Sequence, residues 1–453
     1  MINNILSRAV ELLGEKAVLT GDMIGADYCH DEYPGGNYVP DAVIEAGSTE
    51  DIAAILKLCN EAGVSVTVRG AGTGQVGGSV PVNGGIVLSL KGMNKVLGYA
   101  DGVLKLQPGV LLQDVKAAAE ANGMYYPPDP AEPTATIGGN VATNAGGPCA
   151  VKYGKTRDYV LDAVVVFADG TVETLSNNEE LCSVIGSEGT LAVITEINLK
   201  LVPKPGADAI LLFPFMDIES AVAGAKAIME AGYEPSIVEL MDTDIVEFAG
   251  KTTGDPVFPI EMDGEHVAAT LMVTIEGTDD DDVMDKMEAI AGMAEEGELE
   301  PLDILVGDTI TMKREFWAAH DAFHTSMECG AKSAREINID VPTDAITEIM
   351  DYAKAEGEEK GLKVLIHAHV GSGGMHIHAA SNELSKEELT PVFDEFAAAV
   401  YAKCAQLGGD IVGEYGIGYA KVQYMSEEAK AAQAALKAKF DPKGILNPGK
   451  LGQ

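Results

Sequence analysis

The chain has 453 residues, with 31 Lys and Arg against 71 Asp and Glu, a formal net charge of −40. Hydrophobic residues make up 46% and glycine fills 51 positions, the make-up of a soluble, enzyme-sized globular protein rather than a disordered chain. At roughly 100–200 residues per domain that length holds two or three domains, and the charge excludes non-specific binding to nucleic acid or an anionic membrane, which would repel it everywhere.

The opening stretch, residues 1–16, reads as an amphipathic helix without the basic start, unbroken apolar core and small-residue cleavage site of a secretory signal. No apolar run approaches the roughly 20 residues of a membrane span, so no transmembrane segment is expected. Cys29, Cys59, Cys149, Cys182, Cys329 and Cys404 are scattered and form no CxxC pair. That excludes a zinc ribbon, an internal iron–sulfur site and a disulfide framework, and leaves buried thiols in a reducing cytoplasm.

Residues 34–205 are rich in glycine and in short β-branched runs such as Val64 to Val68 and Gly85 to Leu90. Between them, Thr49 to Ala62 carries apolar residues at helical spacing behind Ser48, a capping residue. Val160 to Thr174 reads as a hairpin turning at Asp169-Gly170. Pro203 to Gly206 marks a boundary. Strands (Ala209 to Phe213, Ala268 to Ile275, Val364 to His369) then alternate with long helices, and the acidic stretches Asp279 to Asp282 and Glu295 to Glu300 read as solvated helix ends or loops. The expected class is α+β, with domains at 1–205, 206–400 and 401–453.

Two glycine-dense segments stand out. Arg69 to Gly78 follows a strand, but no helix opens at once, so a Rossmann fingerprint is a poor match. Its successive glycines would still let backbone N–H groups approach a diphosphate. Pro127 to Gly147 shows no regular hydrophobic period and reads as one long loop, of a length that compact domains keep mostly for function.

Six of the eight histidines fall between residues 320 and 378, four of them in His367-Ala-His369 and His376-Ile-His378. These are two strands about a Gly-rich turn. If Gly371 to Gly374 is that turn, His369 faces His376 and His367 faces His378, close enough for two imidazoles to share a metal ion. A third ligand is needed, and Glu414, flanked by glycine after Ile411-Val412, could project from a tight loop.

The motifs RGAGTG (69–74), PPDP (127–130), TIGGN-ATNAGG (136–147), KYG-TRDYVL (152–161), GSEGTL (186–191) and FDP-GILNPGK (440–450) together resemble FAD-linked oxidases of the vanillyl-alcohol-oxidase or PCMH type. The branch most similar holds D-lactate, glycolate and D-2-hydroxyglutarate dehydrogenases. The resemblance implies a two-subdomain FAD-binding domain, an α+β substrate domain with an antiparallel sheet, and a C-terminal helical segment returning to the flavin. It implies FAD contacts from Arg69, Gly70, Ala71, Gly72, Thr73, Gly74, Gly78 and Ser79 in the first loop. Pro128, Asp129, Thr136, Ile137, Gly138, Gly139, Thr143, Asn144, Gly147 and Tyr153 would follow in the second. Glu188, Gly189 and Ile194 would line the adenine side, and Asn447 would return to the flavin. No His stands in or beside RGAGTG, so the implied FAD is non-covalent.

The family's metal ligands fall on His369, His376 and Glu414, a set that zinc, iron(II) or manganese accepts. Departures from the family accompany the match. Ser372 and Gly374 stand where its His motif has Asp and Asn, and Tyr415 stands where its base is His. Trp-x-x-Arg, its carboxylate clamp, reads Trp317-Ala-Ala-His320, with His324 one turn on, and Asn338 replaces an Asp. Histidine is no equivalent of a bidentate Arg. The expected function is therefore metal-assisted oxidation of a 2-hydroxy acid by FAD, with Tyr415 or His378 as base and His320 at the substrate. A neutral or cationic alcohol, phenol or amine is the alternative substrate, and a flavin subunit of a larger electron-transfer complex the alternative role. The electron acceptor would be external: a quinone, an electron-transfer flavoprotein, an iron–sulfur subunit or dioxygen. Relatives are often dimers, so a homodimer is one expected state.

Overall fold

The computed structural model describes residues 2–176, 178–254 and 257–451. The chain packs as two compact units. The first comprises residues 1–146, 155–204 and 415–453, the second 147–154 and 205–414.

Two sheets build the first unit. One holds four strands in the order Val18–Leu19, Ala42–Glu45, Ile86–Ser89, Val66–Arg69, with the last three parallel. The helix Thr49–Ala62 connects two of them; Ser48 Oγ accepts the Asp51 N–H at 3.1 Å, and buried Ile52, Ile55, Leu56 and Cys59 line its inner face. The other sheet is antiparallel, in the order Val96–Ala100, Val103–Leu106, Val193–Lys200, Val160–Val166, Val172–Ser176. Its last two strands form the hairpin expected at Asp169-Gly170. After the helix Glu427–Phe440 the chain returns to the parallel sheet, where Val66 N–H donates to Ile445 O and Asn447 N–H to Val66 O, both at 2.8 Å.

The second glycine-dense segment is not loop throughout. Ile137–Thr143 forms a seven-residue helix, capped by Thr136, whose Oγ1 accepts the Gly139 N–H. One turn apart, Ile137 and Val141 are its buried apolar residues, too few to show a period among Gly, Thr and Asn.

The second unit is built on seven antiparallel strands, in the order Leu305–Gly307, Ala207–Phe215, Ala269–Gly277, Ile237–Asp242, Lys363–His369, Gly374–Ser381, Ser333–Asp340. It runs on to Glu414, past the division expected at residue 400. The helix Lys386–Gln406 packs on the strand Ser333–Asp340, and Asp340 and Asp410 exchange two backbone bonds of 2.8 Å. One face of the sheet is apolar over Ile210, Leu212, Met241, Met272, Leu365 and Ala380, covered by Phe316, Phe323 and Met327 of the helix Ile310–Gly330.

The histidine hairpin has a register two residues away from the expected one. His367 pairs with His376, Leu365 with His378 and His369 with Gly374, so the turn comprises residues 370–373. Side chains alternate with a period of two, so a slip of two keeps every histidine on its expected face while changing its partner. The turn closes early because Ser372 and Gly373 N–H groups both bond His369 O, at 3.0 and 2.9 Å.

Leu365 belongs to the apolar half of the face that also carries the histidines, and its side chain is fully buried. Leu365→Ala is expected to lower stability by about 2–5 kcal/mol. Urea unfolding followed by circular dichroism checks this.

Candidate active site

In the first unit, Arg69 closes the base of the glycine loop. Its Nη1 donates to Ser79 O and Oγ at 3.4 and 3.3 Å, and Asp31 accepts from Ser79 Oγ at 3.4 Å. A Cβ on Gly70 would lie 2.2 Å from Thr136 Oγ1, so only glycine lets this loop meet the start of the helix Ile137–Thr143. That contact joins the two glycine-dense segments. Ala71, Gly72, Thr73, Gly74 and Gly78 continue the loop, with Gly74 O accepting the Glu32 N–H.

Around it, Glu188 N–H donates to Ala142 O, Asn144 Oδ1 accepts the Arg157 N–H, and Thr143 Oγ1 donates to Gly139 O. The buried Glu188 carboxylate accepts the Ile417 and Gly418 N–H groups, both at 2.7 Å. Burial pushes its pKa up against those two bonds. Asn447 links three segments: its Oδ1 accepts the Val68 N–H at 3.0 Å, and its Nδ2 donates to Glu188 O at 2.6 Å and Gly78 O at 3.3 Å. Ile194 is buried in its strand, Pro128 is buried, and Asp129 pairs with Lys116. Gly147 and Tyr153 fall in the second unit, where Tyr153 Oη donates to Glu276 at 2.5 Å.

The sequence reading does not single out Lys450. It is fully buried, and neither its Nζ nor Arg69 Nε has a hydrogen-bond partner among the described residues. Burial brings Lys450 down to about 7, against the attraction of Asp31 and Glu188. Unsatisfied buried donors are costly, and two of them on basic side chains beside a glycine loop fit the diphosphate of FAD.

In the second unit the sheet face turns from apolar to ionisable at its other end. Glu239 stands opposite His369 on the neighbouring strand, and Glu336 stands opposite His378. The helix Ile310–Gly330 brings down His320, whose Nε2 is 3.2 Å from Glu239 Oε2, and His324, whose Nδ1 is 3.8 Å from Glu336 Oε2. His320 is buried and His324 half-exposed.

Three of these side chains converge. His369 Nε2 and His376 Nε2 lie 3.2 Å apart, and Glu414 Oε1 and Oε2 lie 3.5 and 3.8 Å from them. One ligand atom from each falls within 4.8 Å of the others, a spacing one ion can bridge. Gly413 makes this possible: its φ is +59°, and a Cβ there would lie 2.0 Å from Asn338 Oδ1. Asn338 Oδ1 instead accepts the Glu414 N–H at 2.6 Å, while its Nδ2 donates to Met375 O. An amide can accept and donate where an ionised carboxylate only accepts.

The electrostatics separate the imidazoles. Burial opposes charge on His369, but Glu239 and Glu414 overcome it and hold its pKa well above the ordinary value. Burial lowers His378 to about 4, against the attraction of Glu336. It also lowers His367, together with His376, whose ring stacks on it at 4.4 Å. Glu336 is held down at about 2, its surrounding imidazoles overcoming burial. Nearby cations are engaged elsewhere: Lys313 pairs with Asp208, and Arg335 with Asp394 while stacking on Phe393. Tyr415 belongs to the first unit, the chain passing from one unit to the other between Glu414 and Tyr415.

The two glycine-dense segments meet at Gly70 and Thr136, and His369, His376 and Glu414 bring one ligand atom each within 4.8 Å of the others. A family model described as an FAD binding domain matches residues 40–176, and one described as FAD linked oxidases, C-terminal domain, matches residues 204–451. The chain belongs to the FAD-linked oxidases and is an FAD-dependent oxidoreductase.

It is 39% identical to a D-lactate dehydrogenase of Anaerostipes hadrus over 99% of this chain and 98% of that one. With the glycolate oxidase subunit GlcD of Bacillus subtilis (strain 168) the identity is 33%, over 94% and 91% of the two chains. Among solved structures, p-cresol methylhydroxylase with substrate bound shares the fold at a TM-score of 0.77 and 17% identity, covering 99% of this chain and 96% of that one.

Asn447→Leu removes the partners of Val68 N–H, Gly78 O and Glu188 O together. It is expected to lower the stability of the first unit by about 1–3 kcal/mol, and Asn447→Asp, which keeps the acceptor and loses the donor, to fall between. Hydrogen exchange at the Val68 amide reads the effect locally.

Proposed function

We propose that this protein oxidises a small 2-hydroxy acid of the D-lactate or glycolate kind to the 2-oxo acid, using non-covalent FAD and a divalent metal, and passes the electrons to an external acceptor. The observation that carries this reading is the convergence of His369, His376 and Glu414 on one point, within 4.8 Å. It occurs in a chain 39% identical to a D-lactate dehydrogenase. When bound, FAD would supply the hydride acceptor, and zinc, iron(II) or manganese on those three residues would hold the substrate hydroxyl and lower its pKa.

The chain's own residues set the geometry. Arg69 and Lys450 would face the diphosphate, and the linked loops of Thr136, Glu188 and Asn447 would orient the flavin. The absence of His and Cys from Arg69 to Ser79 supports non-covalent attachment. Two groups are candidates to take the hydroxyl proton. His378 Nε2 is buried without a hydrogen-bond partner among the described residues, and Tyr415 follows Glu414 directly in the chain. Among the described residues, the one group of three or more metal-ligating side chains is His369, His376 and Glu414, which supports an acceptor outside this chain: a quinone, an electron-transfer flavoprotein, an iron–sulfur subunit or dioxygen. Free cysteines throughout support a reducing, cytoplasmic setting, and no described helix is long and apolar enough to cross a membrane.

One observation favours a second substrate class. His320, at the position where the motif resemblance implies an Arg clamp, is bonded to the buried Glu239. A neutral or cationic alcohol, phenol or amine needs no such clamp.

Anaerobic mixing with D-lactate, glycolate and D-2-hydroxyglutarate tests both readings. Bleaching of the oxidised flavin band by a hydroxy acid is expected. Chelation should slow it by about 100-fold or more, as loss of several kcal/mol of Lewis-acid stabilisation requires, and added metal should restore it. A flat response to all three acids with bleaching by a neutral alcohol or amine would move the assignment to the second class. Tyr415→Phe and His378→Gln separate the candidate bases: the variant that loses the limb of the pH–rate profile marks the group.

A further inference from the structure

Both imidazoles that turn Nε2 toward one another have their other ring nitrogen on a carboxylate from an adjacent strand. Glu239 Oε1 lies 2.5 Å from His369 Nδ1, and Glu336 Oε1 lies 2.7 Å from His376 Nδ1. The strand order places them, since Ile237–Asp242 and Ser333–Asp340 flank the two histidine strands on opposite sides. The second oxygen of Glu239 is in turn held at hydrogen-bond distance, and that of Glu336 has two further imidazoles near it. Glu239 Oε2 meets His320 at 3.2 Å, and Glu336 Oε2 lies 3.8 Å from His324 Nδ1 and 3.9 Å from His378 Nδ1.

We propose that Glu239 and Glu336 are positioning residues for the metal centre, each accepting the Nδ1–H of its histidine so that His369 and His376 both present Nε2 to the ion. This rests on the reading of His369, His376 and Glu414 as metal ligands. A neutral imidazole carries one N–H, so fixing that proton at Nδ1 leaves the Nε2 lone pair free. The carboxylate also raises the basicity of the ligand nitrogen and fixes the ring plane. Burying an ionised carboxylate is costly unless it is paired, and Glu239 is wholly buried with its two oxygens on imidazoles. His320 takes a role through this arrangement. By holding Glu239 Oε2 it keeps Oε1 aimed at His369, and its removal should weaken the site less than removal of Glu239.

The test uses the whole chain with Zn2+, and with Fe2+ and Mn2+ in turn where wild type does not bind zinc. Competition against a chromophoric chelator gives the dissociation constant, and histidine-selective ¹⁵N NMR of the zinc-loaded protein reports which ring nitrogen keeps its proton. Glu239→Ala and Glu336→Ala are each expected to weaken zinc binding by about 10–100-fold. The conservative Glu239→Gln and Glu336→Gln should recover part of the loss, because an amide oxygen still accepts the Nδ1–H. In the loaded wild type, His369 and His376 should show protonated Nδ1 and metal-bound Nε2. If wild type binds zinc and all four variants bind it within about 2-fold of wild type, or if the metal sits on Nδ1, the positioning role is overturned while the ligand assignment stands. If wild type binds no zinc, iron(II) or manganese, the ligand assignment fails and the proposal fails with it. Circular dichroism separates unfolding of an alanine variant from loss of the site, and the Gln pair decides the matter where alanine does not fold.

Discussion

Three carboxylates inside one protein unit need counter-groups, and that requirement organises the ionisable end of its sheet face. Glu239, Glu336 and Glu414 are buried or nearly so against the interior of a seven-stranded sheet. Removing an ionised carboxylate from water is costly by several kcal/mol unless it is paired and hydrogen-bonded. The imidazoles of His320, His369, His376 and His378 surround them. Imidazole suits the task because it can be neutral, charged or metal-bound without changing shape. A lysine there would offer one fixed point charge, and would leave no lone pair for a metal.

The apolar part of the same sheet face makes this arrangement durable. Met241 and Leu365 are in-line neighbours of Glu239 and His367 on their strands, and Phe323 lies over both the apolar cluster and the ring of His367. The ionisable groups are thus held by strands whose facing is set by hydrophobic burial rather than by the charges themselves. The first unit solves a similar problem with backbone donors. Glu188 is neutralised in part by two amides of the 416–418 turn, and Asn447 closes the polar groups of three distant segments. Both units place the costly polar groups where glycine lets the backbone come close.

Local features were legible because they depend on neighbours along the chain. The Ser48 cap, the turn at Asp169-Gly170 and the strand leading into Arg69 all follow from residue types within a few positions of one another. That His369, His376 and Glu414 lie close together was reachable because a hairpin and a Gly-flanked acid give a local signal, reinforced by motif resemblance. The seven-residue helix Ile137–Thr143 escaped notice because its two buried residues give no period. The hairpin register was off by two because two amides close on His369 O, a choice among turns that composition does not encode.

What the sequence determines by itself is the set of chemical parts: two glycine-dense segments, a histidine hairpin and a lone acid flanked by glycine. What only the tertiary structure decides is how those parts are oriented. Glu239 and Glu336 lie on strands far from the histidines in the chain and look like ordinary strand residues until the strand order puts them beside His369 and His376. Lys450 reads as part of a Pro-Gly turn until burial removes its water and leaves its Nζ without a hydrogen-bond partner among the described residues. Residue spacing describes neighbours along one strand, whereas pairing across strands and desolvation depend on which segments meet, and that is settled only by the packing of the whole unit.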